Sequence, residues 1–171
     1  SFPDQMHPHF FSYGTFIIYL IYFTQEIIKY FSSTFNFELL TLNSFLVGRF
    51  YSALFSTLTI FIVYKICGTF LGTRLTLLAA LLVALTPGLI QQAHFATPES
   101  ALTFFLFGSL LFIIKFLKQN KILFLLLASV FLGFALGVKI SSIVFLLPLL
   151  VAIGVQSFKK PLSLVEQIFV S

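Results

Sequence analysis

Sixteen consecutive residues, LTLLAALLVALTPGLI (75–90), carry no charge, and four more stretches have the same apolar character: roughly 44–66, 101–117, 122–138 and 140–156. A membrane-spanning helix needs about 20 apolar residues, within a range near 17–25. Charged residues make up 9% of the chain and hydrophobic ones 59%, with mean hydropathy +1.08. A soluble domain carries about 25% charged residues. Folded in water, this chain could not cover its surface with polar groups. It reads as an all-α, polytopic transmembrane bundle: a single membrane domain (1–171) with an outer loop and interfacial helix over 1–43, five spans over 44–156, and a cytoplasmic end or further segment over 157–171. The second span is short. Proline removes a helix donor and glycine loosens the backbone, so Pro87-Gly88 predicts a stop near Thr86, with 87–100 a loop or re-entrant turn.

A sixth apolar stretch, GTFIIYLIYFTQEIIKYF (14–31), holds Gln25, Glu26 and Lys29 within two turns. Charges at mid-bilayer cost several kcal/mol each (~3 on insertion scales). An interfacial helix lying along the membrane fits better. The alternative is a tilted span with Glu26 and Lys29 paired at i, i+3.

The cations set an orientation. With 44–66 running inward, Lys65, Arg74, Lys115, Lys118, Lys121, Lys159 and Lys160 all face the cytoplasm, and only Lys29, Arg49 and Lys139 remain outside. The positive-inside rule favours this arrangement. Residues 1–43, the heptapeptide HFATPES (94–100) and the turn VKISS (138–142) then share the outer side. The same charge rule accounts for the net +5 and leaves no reason to invoke nucleic acid. The lone Cys67, expected in a short loop, excludes an internal disulfide. The N-terminus, SFPDQMHPHF, lacks a basic signal-peptide region, and the chain is expected to be a piece of something longer.

Polar residues are scarce, so the outer ones stand out. His94 and Glu99 sit between two spans; Thr97 or Ser100 would cap a helix beginning near residue 101, with Pro98 in its first turn. A carboxylate favouring the helix N-terminus explains Glu99 equally well. In PDQMHPHFFSYG (3–14), Asp4, His7 and His9 offer ligand types for a divalent metal, but no third ligand is set by pattern. Arg49, one to two turns inside an apolar helix, needs an anion, a lipid phosphate or a partner such as Glu99 or Glu38. Lys139 is the lone cation of an outer turn, a phosphate contact or an interfacial anchor. There is no phosphate-binding loop, nucleotide fingerprint, serine elbow or HExxH.

In order, HPHFFSYGTFIIYL, VGRFYSALFSTLTIFIVY, LLAALLVALTPGLIQQAHFATPESALTFF and GFALGVKISSIVFLLPLL resemble the polyprenyl-phosphate-dependent glycosyltransferases of the C superfamily, which include the protein O-mannosyltransferases. The resemblance covers nearly the whole chain. It implies a multi-span helical domain with membrane-lying helices in the first outer loop, and a sugar donor on a polyprenyl phosphate. The sugar passes with inversion to a protein, lipid or glycan acceptor on the outer side. Glu99 stands at the family's second outer acidic motif, Pro8 and Tyr13 loosely match the start of its horizontal helix, Arg49 matches the arginine opening the next span, and Lys139 the lysine after a G-x-A-x-G turn.

Taken together, the residue reading and the resemblance give Glu99, His94 and Asp4 as candidates for catalysis, and Arg49, Lys139, His7, His9 and Tyr13 as candidates for substrate contact. The resemblance departs in two places. The family's catalytic aspartate lies upstream of the HPHFF region, too far from Asp4 to match comfortably, and Glu99 replaces a common Asp. An N-terminal piece of an enzyme, short of its base, is the expectation. The expected compartment is a prokaryotic plasma membrane ahead of the endoplasmic reticulum. The competing readings are a transporter or flippase for a lipid-like substrate, and a non-catalytic membrane scaffold.

Overall fold

The computed structural model describes residues 14–35 and 44–159. It contains seven α-helices and a 3-10 segment, with no strand among the described residues: α1 (Phe16–Phe35), α2 (Ser44–Cys67), α3 (Thr73–Ala84), α4 (Pro87–His94), α5 (Glu99–Gln119), α6 (Ile122–Val138), the 3-10 segment Ile140–Phe145 and α7 (Leu146–Lys159). At 1.5 Å per residue, the 24 residues of α2 span about 36 Å.

Among the described residues, three helices are long and apolar enough to cross a membrane: Ser44–Cys67, Glu99–Gln119 and the combined Ile140–Phe158. The α3–α4 pair, bent by 53°, qualifies when counted as one broken span, and α6 is apolar but shorter, at 17 residues. The residues expected to form a loop from 87 are helical up to His94. Pro87 ends α3, because it offers no N–H to Val83, yet it opens α4 from the first helical position, where that N–H has no intrahelical partner. Cys67 likewise closes α2 and does not lie in a loop.

Side-chain bonds define the direction of each pass. Near the start of α2, Ser52 Oγ donates to the Thr97 carbonyl at 3.2 Å. Just past its end, the Thr69 carbonyl accepts from Lys118 Nζ at 2.9 Å. Helices α2 and α5 therefore run parallel, and α3–α4 returns the chain between them. The turn at Asn120, in the left-handed conformation that asparagine tolerates (φ 50°), reverses the chain into α6. Gln156 on α7 donates to the carbonyls of Phe116 and Leu117 at 3.1 and 3.3 Å. Over the described residues 44–159, the chain thus passes five times between two ends, one marked by Arg49 and the other by Lys65, Lys115 and Lys118.

The core lies between α2, α5, α6 and α7, where Phe55, Phe105, Phe116, Leu132, Ala135 and Ala152 are buried. Phenylalanine abundance has a packing explanation here. Phe105 meets Phe134 at 5.3 Å, Phe131 at 6.0 Å and Phe16 at 5.6 Å, so rings of three helices interlock at the spacing aromatic pairs prefer. Close backbone approach between α5 and α6 comes from small residues: a Cβ on Gly108 would enter the Phe131 ring, and buried Ser109 Oγ donates to the Ala128 carbonyl at 3.1 Å.

Helix α1 lies across the Arg49 end. The Gly14 N–H donates to the Val138 carbonyl, at the end of α6, at 2.8 Å. Gln25 Nε2, eleven positions on and about 16 Å away along a helix, donates to Ser44 Oγ, at the start of α2, at 2.9 Å. Both ends of this stretch meet helix termini, as a helix laid over a bundle end must. Thr24 and Tyr51 share a hydroxyl contact of 2.7 Å on the same side. Lys29 Nζ donates to Glu26 Oε1 at 2.8 Å. That bond first, then the carboxylate charge, holds the Lys29 ammonium pKa above its ordinary value.

Candidate functional site

Four chemistry-bearing residues meet at the Arg49 end. Arg49 lies in the second turn of α2, His94 ends α4, Glu99 opens α5 and Lys139 follows α6. Arg49 Nε donates to the His94 carbonyl at 2.9 Å, and the guanidinium lies over the Phe45 ring, 4.8 Å from its centroid. Ser52, one turn along the same face of α2, reaches the Thr97 carbonyl. Two side chains of α2 thereby hold the α4–α5 connection by its backbone. Lys139 Nζ lies 3.7 Å from Glu99 Oε1, with the two side chains 32% and 27% exposed. This is an ion pair open to solvent on one side.

Local sequence explains the close fit. Gly48 is buried, and a Cβ there would stand 2.8 Å from Ala96 Cβ; the missing side chain lets α2 approach the heptapeptide. Gly14 is tighter still, since a Cβ would collide with the Gly137 carbonyl. The segment entering α1 thus seats directly beside Lys139.

Two expectations change. Arg49 takes a backbone carbonyl as its partner, not Glu99, because Glu99 is already turned to Lys139. Neither Thr97 nor Ser100 caps α5. The helix begins at Glu99 with Pro98 before it and no side-chain cap; Thr97 Oγ1 points back to the Gln92 carbonyl at 3.5 Å, and Ser100 Oγ to the Thr97 carbonyl at 3.3 Å. Tertiary contacts from Arg49 and Ser52 stabilise the turn where capping was expected to.

Of the predicted site residues, Arg49, His94, Glu99 and Lys139 come together. Asp4, His7, His9 and Tyr13 lie outside the described residues, as does Glu38. Among the described residues, no group of three His, Cys, Asp or Glu side chains could hold a metal ion. Gly48, Ser52 and Gln92 were not singled out from sequence. Ser52 had a readable signal, its i+3 spacing from Arg49 on one helix face. Gln92, whose buried Oε1 accepts nothing among the described residues, had none.

Electrostatically, the site sets the Lys139 cation beside the Glu99 carboxylate and the Arg49 cation on the His94 carbonyl. Arg49 uses one of its five N–H donors on the His94 carbonyl. Charge-assisted donors of this kind suit a phosphate, and a carboxylate next to them can orient a hydroxyl.

Residues 27–170 match the family model described as dolichyl-phosphate-mannose-protein mannosyltransferase. No curated protein and no solved structure matches the chain.

Proposed function

Because the chain belongs to the dolichyl-phosphate-mannose-protein mannosyltransferase family of membrane glycosyltransferases, we propose that its Arg49 end is where a polyprenyl-phosphate sugar meets its acceptor. The five passes are five crossings of an integral membrane protein, with the Arg49 end extracytoplasmic and α1 lying along the interface. In the transfer, an acceptor hydroxyl oxygen bonds to the sugar C1 as the bond from C1 to the phosphate oxygen breaks. The acceptor proton goes to a base, and the polyprenyl phosphate leaves with the electron pair. Arg49 and Lys139 supply positive charge where the leaving phosphate gains negative charge. Glu99 orients the acceptor hydroxyl, and His94 lines the rim. On the sequence alone, the reading also gives Asp4 a part in catalysis and His7, His9 and Tyr13 a part in substrate contact.

The observation that carries this reading is the convergence itself. Arg49, Glu99 and Lys139 come from three distant parts of the chain, yet Lys139 touches Glu99, and Arg49 holds the residue that ends α4. Buried or half-buried ionisable groups in a membrane bundle are costly, and they mark functional sites. The orientation is supported by the opposite end, which gathers Lys65, Arg74, Lys115, Lys118 and Lys121.

The test is transfer by the full-length protein in liposomes, supplied with a labelled mannosyl-phosphoryl-polyprenol and hydroxyl-bearing acceptor peptides. Labelled peptide is expected, and the Arg49→Ala, Glu99→Ala double variant should lose it. Unchanged turnover in that variant removes the site assignment. Labelled lipid crossing the bilayer with no glycosylated product replaces the enzyme reading with lipid transport.

A further inference from the structure

The opposite end of the bundle holds a second cationic feature that glycosyl transfer does not use. A cleft of about 380 Å³ opens between the end of α2, the start of α3 and the last turns of α5. Lys65 and Lys115 line it from two different helices. Tyr64 and Thr73 contribute hydroxyls, and Leu71 and Leu111 form its apolar side.

Neither lysine has a carboxylate partner among the described residues. Lys65 Nζ sits 5.1 Å from the Phe61 ring centroid, and Lys115 Nζ lies 5.5 and 5.6 Å from those of Phe112 and Phe124. Between 44 and 159 the chain has one carboxylate, Glu99. It stands sixteen residues before Lys115 on α5, about 24 Å away along the helix. Nearby Lys118 differs: it is bonded to the Thr69 carbonyl and lies over Phe70, so it braces the loop. Lys65 and Lys115 converge on a cavity that no carboxylate lines among the described residues.

We propose that this cleft binds the phosphate of an anionic phospholipid headgroup from the adjoining leaflet. Basic pockets between spanning helices on the cytoplasmic side take such headgroups. The apolar wall distinguishes this cleft from an ordinary solvated charge cluster. Above it, α3 exposes Leu75, Leu78 and Leu82 at helical spacing, a surface on which acyl chains can lie while the phosphate meets the lysines. The site is separate from the Arg49 end, and it stands whether or not the chain transfers sugar.

The test uses the full-length protein in neutral detergent. Thermal unfolding is followed with added phosphatidylglycerol, phosphatidylcholine or millimolar inorganic phosphate. Phosphatidylglycerol should raise the midpoint by about 3–5 °C, as binding to the folded state does, and phosphatidylcholine should not. Lys65→Gln with Lys115→Gln should abolish the shift. Arg74→Gln with Lys121→Gln removes the same charge from the same end outside the cleft lining, and should retain it. Equal stabilisation by both lipids, loss of the shift in both double variants, or its survival in K65Q/K115Q overturns the proposal. A shift produced by inorganic phosphate and lost in K65Q/K115Q also overturns the lipid assignment, leaving an anion site for a soluble ligand. If K65Q/K115Q does not fold, native mass spectrometry of the unmodified protein decides: a single retained phosphatidylglycerol in preference to phosphatidylcholine is expected, and no preference overturns it.

Discussion

Lys139 Nζ stands 3.7 Å from Glu99 Oε1, linking the residue after α6 to the first residue of α5. The pair is partly open to solvent, so its worth to folding is below about 1 kcal/mol. Its worth to chemistry is separable from that. Glu99→Gln should leave the thermal midpoint nearly unchanged while lowering sugar transfer by about 10²-fold. Glu99→Lys combined with Lys139→Glu should fold and remain inactive. Restored transfer in that swapped variant, measured against each single variant, would show that the pair acts only as a brace.

Arg49 combines charge with a planar fork, and one N–H of that fork holds the His94 carbonyl. Arg49→Lys keeps the charge and loses the fork. The KM for the polyprenyl-phosphate sugar should rise by about 10-fold, the loss of one charge-assisted bond, with a smaller change in kcat. Initial rates over a donor titration separate the two.

Gly48 leaves room for Ala96. Gly48→Leu should push the α4–α5 turn off α2, costing about 1–3 kcal/mol of stability and moving Glu99 away from Lys139. Transfer should fall even at temperatures where the protein remains folded. Activity equal to that of the unmodified protein would mean that the spacing between α2 and the heptapeptide does not position the site.

Gly14 meets the Gly137 carbonyl and donates its own N–H to Val138. Gly14→Ala should therefore unseat the start of α1 while α5 and α6 stay packed. Limited proteolysis should cut the variant near residue 14 faster than the unmodified protein, with little change in thermal midpoint.

Buried polar bonds tie the bundle at two other points. Ser109→Ala removes the bond to Ala128, and Gln156→Leu removes the bonds to Phe116 and Leu117. Each should cost about 0.6–2 kcal/mol, the range for interhelical hydrogen bonds in membranes. Unfolding by a denaturing detergent measures both.

Much of the architecture was legible before any tertiary contact was considered. The stretch read as roughly 122–138 coincides with α6, an apolar run flanked by Lys121 and Lys139. Arg49, Glu99 and Lys139 were expected on one side from the order of charged ends, but the sequence did not give their partners, the His94 carbonyl for Arg49 and Glu99 for Lys139. The helix at Pro87–His94 did not follow, because proline signals a stop and a start with the same residue. Gln156 was passed over as one amide in an apolar run, although it is 5% exposed and joins α7 to α5.

By itself, the sequence determined that this chain is a membrane-embedded helical protein, where most of its helices lie, and which side chains stand at their ends. Those properties depend on hydrophobicity and periodicity among neighbours in the chain. Only the tertiary structure decided that α2 and α5 run parallel, that Arg49 grips a carbonyl while Glu99 turns to Lys139, and that Lys65 and Lys115 share a cleft. Those pairings depend on how far one helix slides against another. That offset is set by close approaches such as Gly48 on Ala96 and Gly14 on Gly137, which arise only when distant segments pack together.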